Sequence, residues 1–341
     1  MTRRQLGNST LQITPVGLGA WAIGGSDWKF GWGPQSDELS LATIRRAVDD
    51  GINWIDTAAV YGLGRSESVI ARALRDVPLA DRPYVFTKVG LAWDELGNVS
   101  CSLEPESIRR QAEDSLRRLG VDAIDLYQLD ICAASGPWPC ERGSIDDAWA
   151  ALETLRDEGK VRFIGVTNAD REMLARLERI APITSLQAPY SLLCRDIETT
   201  LPFCERHGVG VIANSPMASG LLTGSMTPER LRRLPNNDWR RHNAFLRAAA
   251  ISVAPGIVER LRAVGDRHAV IPGAVAVAWT LRHRAITAAV VGARRPEQIA
   301  DLAGVASMRL SAEEIDRIDR IDRIDRIDQI DSVEATSHVA R

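Results

Sequence analysis

An acid, a phenol and an amine occur near the start of the chain and could form one proton-donating site. Asp56 and Tyr61 belong to the segment Asp-Thr-Ala-Ala-Val-Tyr-Gly, and Lys88 belongs to the segment Val-Phe-Thr-Lys-Val. A free phenol has a pKa of about 10, which is too high for efficient acid-base catalysis at neutral pH. A neighbouring ammonium group lowers that pKa, so we expect Lys88 to activate Tyr61 and Asp56 to keep Lys88 charged. The alternative is a structural ion pair beside a packed tyrosine.

Lysine is rare in this chain, which makes the position of Lys88 informative. Only three of the 42 basic residues are lysines, at positions 29, 88 and 160. Arginine therefore supplies most of the positive surface charge, and a lysine that ends an apolar strand is expected to serve another purpose. Lysine suits acid-base work because its pKa shifts readily on burial, whereas arginine stays charged.

Short apolar strands alternate with amphipathic helices along the chain. Strands are predicted near residues 15–20, 52–57, 84–89, 124–129, 161–166, 184–188, 209–213 and 288–291, and helices, among others, at 37–50, 66–76, 105–119, 146–158 and 170–179. Eight such units predict a (β/α)8 TIM barrel, and the pattern before the first strand predicts an N-terminal β-hairpin. The active site of such a barrel lies at the carboxyl ends of the strands, where six polar residues fall: Asp56, Lys88, Asp130, Asn168, Gln187 and Asn214.

The segments that contain Asp56, Tyr61 and Lys88 resemble those of the aldo-keto reductases, a barrel family that reduces carbonyl groups with a nicotinamide cofactor. The resemblance covers roughly residues 4–315, which is nearly the whole chain. It implies catalytic roles for Asp56, Tyr61 and Lys88, and it implies that the N-terminal hairpin closes the floor of the barrel. The implied substrate is a small organic metabolite.

The fourth catalytic residue of the family is a histidine, and this chain has Asp130 in its place, at the end of a Tyr-Gln-Leu-Asp segment. An ionised Asp130 would lie beside the developing alkoxide and would raise the pKa of Tyr61. Two alternatives stay open. Asp130 is protonated and donates a hydrogen bond to the substrate oxygen, as a carboxylic acid in an apolar site does, or it points away and the site is weakened or put to another use. Steroid 5β-reductases, a branch of the family with glutamate at this position, reduce a conjugated C=C bond.

Four later segments resemble the cofactor-binding segments of the family. The residues expected to hold the nicotinamide carboxamide are Thr167, Asn168 and Gln187. Those expected to wrap the pyrophosphate are Asn214, Ser215, Met217, Gly220 and Leu221. Those expected to bind the 2′-phosphate of NADPH are Gly292, Arg294 and Gln298. Arginine suits a phosphate because it binds the oxygens in a bidentate manner, although an ordinary turn with solvated arginines is the alternative.

Two further family positions are changed in this chain. The tyrosine that stacks on the nicotinamide is Asn214, and an asparagine that contacts the adenine is Leu302. We expect loss of the stack to cost on the order of 1 kcal/mol, unless Trp21 or Tyr190 supplies another surface. The tryptophans predicted to line the mouth of the substrate pocket are Trp21, Trp28 and Trp32.

Composition excludes several classes of protein. The net charge of −3 gives no general attraction for nucleic acid or for an anionic membrane, and no apolar run is long enough to span a bilayer. The first residues do not form an apolar signal segment. The five cysteines are scattered, without a CxxC pair or zinc-type spacing, so we expect reduced thiols, no metal and a cytoplasmic location. The sequence does not predict the oligomeric state.

We expect one barrel domain over residues 1–331 and a flexible tail over 332–341. Ser311 and Glu314 predict a capping box that begins a last helix. From Ile315 to Asp331 the chain then repeats Ile-Asp-Arg almost without change. A period of three does not match the 3.6 residues of a helical turn, so the isoleucines spiral around the helix. We interpret the repeat as a sequence expansion without a chemical role.

Together these features predict an NADPH-dependent oxidoreductase that reduces a carbonyl group or a conjugated enone. Tyr61 is the expected proton donor, with Asp130 in the place of the usual histidine. The changes at positions 130 and 214 favour specialised chemistry, as in secondary metabolism, over broad detoxification. Two other functions stay open: a binding or regulatory module on a reductase barrel, and a non-redox reaction that uses Tyr61 and Asp130 as an acid-base pair.

Overall fold

The computed structural model describes residues 2–131 and 143–319 and confirms the predicted barrel. Eight parallel strands form a closed barrel, in which each barrel strand pairs with the next one along the chain and the last pairs with the first. All eight predicted strands and all five predicted helices are present, and their ends differ from the predicted ends by at most two residues. The fold is therefore a (β/α)8 TIM barrel with an N-terminal β-hairpin.

The bounds of the elements show short strands separated by helices. The strands are β1 Arg4–Gln5, β2 Gln12–Ile13, β3 Val16–Gly19, β4 Trp54–Asp56, β5 Tyr84–Val89, β6 Leu91–Trp93, β7 Val99–Cys101, β8 Ile124–Asp130, β9 Val161–Thr167, β10 Ser185–Pro189, β11 Gly210–Asn214 and β12 Ile286–Gly292. The α-helices in the described ranges are Asp37–Asp49, Arg65–Leu74, Pro105–Leu119, Ile145–Asp157, Arg171–Leu177, Leu201–His207, Pro228–Arg233, Ala244–Ser252, Ala254–His268, Pro272–Leu281, Pro296–Ala303 and Ala312–Asp319. Within these ranges, none of the helices combines the length and the apolar character needed to cross a membrane.

The N-terminal hairpin closes the barrel near the beginnings of the strands. β1 and β2 pair in antiparallel fashion, with Arg4 opposite Ile13. The hairpin side chains Leu6, Leu11 and Ile13 are fully buried. They form one cluster with side chains from the barrel interior, which include Trp54, Phe86, Leu126 and Ile212. The predicted floor of the barrel is confirmed.

The interior of the barrel has an apolar lower layer and a polar upper layer. Side chains two residues apart on a strand lie on the same face. Three strands that contribute an apolar side chain to the floor therefore place a polar one above it, namely Asp56, Lys88 and Gln128. A glycine makes room for the largest floor residue, because a Cβ at Gly17 would lie 2.1 Å from the indole of Trp54. The side chains that fill the floor thus fix the position of the polar layer along the axis of the barrel.

The connection after β5 differs from the sequence prediction in two ways. It contains a second antiparallel hairpin, β6–β7, in which Leu91 pairs with Cys101. Cys101 is disulfide-bonded, while Cys194 and Cys204 are free. The prediction that all five cysteines are reduced is therefore wrong, because separation along the chain does not report separation in space. The cytoplasmic location stays a prediction without this support.

The last described helix, Ala312–Asp319, is fixed to the barrel by the beginning of the Ile-Asp-Arg repeat. Ile318 is fully buried. Asp319 Oδ1 accepts hydrogen bonds from Arg195 Nη2 at 2.6 Å and from Trp279 Nε1 at 3.0 Å. This first part of the repeat is therefore structural. The rest of the repeat, the predicted boundary at 331 and the predicted tail 332–341 lie outside the described residues.

Glu314 holds this helix through the predicted capping box and two basic side chains. Ser311 Oγ accepts from Glu314 N at 3.2 Å, and Glu314 Oε2 accepts from Ser311 N at 2.9 Å. Glu314 Oε1 accepts from Arg267 Nη2 at 3.0 Å and lies 2.9 Å from His268 Nε2. Desolvation opposes the charged carboxylate, but these hydrogen bonds and the nearby histidine prevail and lower the pKa of Glu314 to about 2.

Glu314→Gln should reduce stability at neutral pH and should leave it nearly unchanged in strong acid. The folded-state pKa of about 2 lies below the ordinary value of 4.5. The carboxylate therefore contributes stability above pH 4.5 that is lost as the pH falls towards 2. We expect a loss of about 1–2 kcal/mol at pH 7, measured by urea unfolding over a pH series. The matched control is Glu313→Gln, which changes an exposed carboxylate on the same helix. Equal losses in both variants would contradict this role.

Candidate active site

Asp56 and Lys88 form a buried ion pair in the polar layer of the barrel. Lys88 Nζ donates to Asp56 Oδ2 at 2.6 Å and to Thr57 O at 2.9 Å. Both side chains are more than nine-tenths buried. Burial opposes the charge on Lys88, but the carboxylate of Asp56 outweighs that effect and the pKa of Lys88 is raised. The structure thus gives Lys88 a fixed positive charge at the carboxyl end of β5.

Two glutamines occupy the other oxygen of Asp56. Gln128 Nε2 and Gln187 Nε2 donate to Asp56 Oδ1 at 3.1 Å and 2.7 Å. Gln187 Nε2 also donates to Gln128 Oε1 at 3.2 Å. Gln128 was not predicted as a site residue. The sequence does carry a signal for it, because Gln128 is a polar residue between two apolar residues of β8. The alternation of side chains along a strand places it inside the barrel.

Tyr61 lies against the Asp56–Lys88 pair, with Lys88 Nζ 5.3 Å from the centroid of its ring. Burial of the phenol raises the pKa of Tyr61 to about 12, and Asp56 and Asp130 add to the rise, while Lys88 lowers it. The predicted net lowering is therefore wrong. Lys88 acts in the expected direction, but a buried site solvates a phenolate poorly. The phenol stays protonated at neutral pH, which suits a proton donor.

Asp130 remains at the site and is held by its neighbour on β9. Thr167 Oγ1 donates to Asp130 Oδ1 at 3.0 Å. Thr167 Oγ1 in turn accepts from Asn168 Nδ2 at 3.2 Å. Asp130 also contributes to the raised pKa of Tyr61. Asp130 therefore acts electrostatically on Tyr61 while its carboxyl group stays bonded to Thr167.

Four tryptophans form an aromatic wall, defined as Trp21, Trp28, Trp32 and Trp239, and two of them, Trp21 and Trp28, contact Tyr61. Trp21 stacks on Tyr61 with centroids 5.9 Å apart and on Trp239 with centroids 5.3 Å apart. Trp32 meets Trp21 edge-on at 5.4 Å. Trp28 lies 5.9 Å from Tyr61. The three tryptophans predicted for the pocket thus lie together beside Tyr61, and Trp239 joins them from a distant part of the chain.

The loops that carry the aromatic wall are joined by backbone and ionic contacts. Trp239 N donates to Gly31 O at 2.9 Å, and Trp32 forms an isolated antiparallel bridge with Asp238. Asp238 and Arg240 form a buried ion pair at 2.6 Å. The guanidinium of Arg240 lies 4.2 Å from the centroid of Trp32. Sequence reasoning missed this arrangement because about two hundred residues separate its halves.

The polar residues predicted to hold a nicotinamide lie together at the ends of β9 and β10. Thr167 pairs with Gln187 in the sheet. Asn168 N donates to Gln187 O at 2.8 Å, and Asn168 has a φ of 57°. A left-handed backbone is uncommon outside glycine, and such strained residues cluster at binding sites. The side-chain amides of Asn168 and Gln187 suit a carboxamide because they offer both donors and acceptors.

Tyr190 does not provide the stacking surface that Asn214 lacks. Tyr190 is fully buried, and its ring packs on Trp279 with centroids 5.4 Å apart. Its backbone N donates to Asn214 O at 3.1 Å, which places Asn214 at the end of β11. Trp21 is partly exposed beside Tyr61. Of the two substitutes considered, only Trp21 is accessible to a ligand.

The segment after Asn214 contains a run of left-handed backbone conformations. Ser215, Ala218, Ser219 and Gly220 have φ values of 53°, 47°, 53° and 102°. Successive backbone N–H groups in such turns form concavities that bind anions. The geometry therefore suits a pyrophosphate. Leu221 is buried in the core, so its side chain is not available to a cofactor, whereas Met217 is partly exposed.

Arg294 and Gln298 are both engaged in contacts within the protein. Arg294 Nε donates to Gln35 Oε1 at 2.9 Å, and Arg294 Nη2 donates to Pro34 O. Gln298 Oε1 accepts from the backbone N–H groups of Arg294 and Arg295 at 2.9 Å and 3.2 Å. Gln298 thus caps the start of the Pro296–Ala303 helix, and Arg294 ties that start to the first βα loop.

Two neighbouring positions differ in what they offer a nucleotide. Gly292 ends β12 and is exposed, and a Cβ there would meet no atom of the described chain nearer than 3.9 Å. A ligand could therefore approach the backbone closely. Leu302 is buried in the core. Its apolar side chain offers no hydrogen-bonding group to an adenine.

A (β/α)8 barrel with the Asp56, Tyr61 and Lys88 cluster at the ends of its strands indicates one family of oxidoreductases. A family model described as "Aldo/keto reductase family" matches residues 15–323. The chain therefore belongs to the aldo-keto reductase family.

Similar proteins cover nearly the whole chain. Aldo-keto reductase YhdN of Bacillus subtilis (strain 168) is 30% identical over 92% of this chain and 91% of its own length. The NADH-specific methylglyoxal reductase of Escherichia coli (strain K12) is 31% identical over 93% of this chain and 96% of its own length. The solved structure of glycerol dehydrogenase AKR11B4 from Gluconobacter oxydans is 34% identical, with a TM-score of 0.80, and the alignment covers 93% of this chain and 94% of that one.

Proposed function

We propose that this aldo-keto reductase is an NADPH-dependent oxidoreductase that reduces the carbonyl group, or a conjugated enone, of a small oxygen-bearing metabolite. The observation that carries the proposal is the packing of Tyr61 against Lys88, which Asp56 holds in place. When bound, the nicotinamide cofactor would supply a hydride. The side chains of the barrel supply the proton, the orientation of the substrate and the exclusion of water.

Tyr61 supplies the proton to the substrate oxygen or to the enolate. Because burial keeps the pKa of Tyr61 at about 12, the phenol is protonated over the whole neutral range. Proton transfer leaves a phenolate beside the ammonium of Lys88, whose charge stabilises it. Asp56 keeps Lys88 charged and fixed, so the stabilising group does not have to reorganise during the reaction.

Asp130 takes part in this proposal as a carboxylic acid. A protonated Asp130 donates a hydrogen bond to the substrate oxygen. We favour this alternative over a side chain that points away, because Asp130 lies at the site. Thr167 donates to Asp130 Oδ1 at the same time and keeps the carboxyl group oriented. This arrangement supports both carbonyl and enone reduction, because each develops negative charge on an oxygen.

The aromatic wall supports an oxygen-bearing substrate. The indole N–H groups of Trp28, Trp32 and Trp239 are buried and have no acceptor among the described residues. A buried donor without a partner costs about 1–3 kcal/mol, so a ligand with acceptor oxygens is favoured over a hydrocarbon of the same size. Two relatives are named for glycerol and for methylglyoxal, which are small and rich in oxygen.

The chain offers residues for three parts of the cofactor, namely the carboxamide, the pyrophosphate and the 2′-phosphate. Asn168 and Gln187 would hold the carboxamide, and the left-handed segment 215–220 would hold the pyrophosphate. Arg294 would bind the 2′-phosphate in exchange for its contacts with Pro34 and Gln35. One relative is named as NADH-specific, so the choice of NADPH rests on this arginine.

Arg294→Ala should weaken NADPH binding and leave NADH binding nearly unchanged. A charge-assisted bidentate contact with the phosphate is worth roughly a tenfold to hundredfold change in Kd. Quenching of tryptophan fluorescence by each nucleotide measures both values. The matched control is Arg284→Ala, because Arg284 is exposed and precedes β12 at the other end of the barrel. Tighter binding of NADH than of NADPH by the unchanged protein, or equal losses for both nucleotides, would contradict the cofactor proposed.

A further inference from the structure

Both polar atoms of the Gln128 side chain are used inside the barrel. Nε2 donates to Asp56 Oδ1 at 3.1 Å, and Oε1 accepts from Gln187 Nε2 at 3.2 Å. Gln128 is fully buried. The next strand leaves space for it, because a Cβ at Gly165 would lie 3.4 Å from Gln128 Cγ and 2.4 Å from Ser185 Oγ. The glutamine is therefore fitted between its neighbours.

The charge on Asp56 determines which way both amides face. A carboxylate paired with Lys88 only accepts hydrogen bonds. Gln128 must therefore present its nitrogen to Asp56 and its oxygen to Gln187. Gln187 then uses both hydrogens of Nε2, one on Asp56 Oδ1 at 2.7 Å and one on Gln128 Oε1. Rotation of the Gln187 amide by half a turn would bring its oxygen against two acceptors.

Gln187 is left with its carbonyl oxygen as the unused polar atom, since no donor within the described ranges is bonded to Oε1. We infer that Gln128 is a positioning residue, which locks the Gln187 amide so that Gln187 offers the nicotinamide carboxamide an acceptor. Gln128 itself does not touch the cofactor and acts through Gln187 and Asp56. This inference rests on the proposed function, because it requires a nicotinamide nucleotide at this site.

A nucleotide that lacks the carboxamide NH2 tests the lock. The 3-acetylpyridine analogue of NADPH keeps the carbonyl of the ring substituent but has a methyl group in place of the NH2. An acceptor at Gln187 would face that methyl group and stay unpaired. We expect the unchanged protein to bind the analogue roughly tenfold more weakly than NADPH. Gln128→Leu removes one of the two acceptors that fix Gln187 Nε2 and leaves only Asp56 Oδ1. The amide can then tilt away from the carboxamide, so the ratio of the two Kd values should fall to about two.

The experiment compares Kd values for NADPH and the analogue by quenching of tryptophan fluorescence. The matched control is Gln111→Leu, because Gln111 is a buried glutamine outside the barrel interior, bonded to Gly90 N and Ser102 O. That variant should keep the tenfold ratio. Gln128→Met, which keeps the unbranched shape of the side chain, is measured alongside in case the leucine variant does not fold. A purely structural role for Gln128 would weaken both ligands equally and leave their ratio unchanged.

The outcomes separate this inference from the proposed function. A ratio that falls in the Gln128 variants and not in Gln111→Leu supports the lock. Equal affinity of the unchanged protein for NADPH and the analogue overturns the inference and leaves the reductase proposal standing, as does a ratio that Gln128→Leu and Gln128→Met do not change. Failure of the unchanged protein to bind either NADPH or NADH overturns the proposed function, and the lock falls with it.

Discussion

Tyr61→Phe should reduce the rate of carbonyl reduction by about 10²- to 10⁴-fold while nucleotide binding stays intact. Phenylalanine keeps the ring that stacks on Trp21, so the aromatic wall keeps its shape. The variant loses only the hydroxyl that donates the proton. The nearby Lys88 is held by Asp56 and Thr57, so its ammonium does not move into the vacated position. The expected loss therefore falls on kcat.

The measurement is the oxidation of NADPH with a panel of small aldehydes and α,β-unsaturated ketones, with the nucleotide Kd determined in parallel. The matched control is Tyr84→Phe, which removes a phenol at the beginning of the strand that carries Lys88. That variant should retain nearly full activity. If Tyr61→Phe also kept most of its activity, the proton would have to come from another group and the assigned role would be lost.

Asp130→His should increase carbonyl reduction by at least about tenfold in kcat/KM. Asp130 raises the pKa of Tyr61, and its Oδ1 accepts from Thr167. An ionised Asp130 must take up a proton before it can donate a hydrogen bond to the substrate oxygen, whereas an imidazole removes the negative charge and donates to the developing alkoxide without that step. Both changes lower the barrier to reduction of a simple aldehyde.

Asp130→Asn separates the two effects, because it removes the charge without supplying an imidazole. A gain in the histidine variant alone identifies the ring nitrogen as the missing group, whereas equal gains identify the carboxyl charge as the obstacle. A loss of aldehyde reduction in Asp130→His, with NADPH binding intact, would contradict the hypothesis that Asp130 takes the place of the family's catalytic histidine. Parallel assays with an enone show whether Asp130 is tuned to C=C reduction instead.

The barrel and the central cluster of the site were predictable because each depends on local sequence. Strands buried in a barrel read as short apolar runs, and the polar residue that ends each run must lie at the same rim. That rule brings Asp56 and Lys88 together without any knowledge of distances. The N-terminal hairpin was predictable for the same reason, since its alternation is complete within ten residues.

The remaining features depend on contacts between distant parts of the chain. The pKa of Tyr61 is set by burial, which sequence reasoning about its charged neighbours underestimated. The bond at Cys101, the joining of Trp239 to Gly31 and the convergence of Gln128 on Asp56 all arise from tertiary packing. A single sequence does not report which distant residues meet, so these features could not be predicted.

The tie between Arg294 and the first βα loop makes the two ends of the site thermodynamically dependent on each other. Arg294 is bonded to Pro34 and Gln35, close in sequence to Trp32 of the aromatic wall. A nucleotide phosphate that draws Arg294 away from the loop changes the free energy of the loop. A substrate that orders the loop changes, in turn, the free energy needed to release Arg294. By reciprocity, each ligand alters the affinity of the other by the same factor. If Arg294 binds the 2′-phosphate as proposed, nucleotide discrimination measured in the absence of substrate will differ from discrimination measured during turnover.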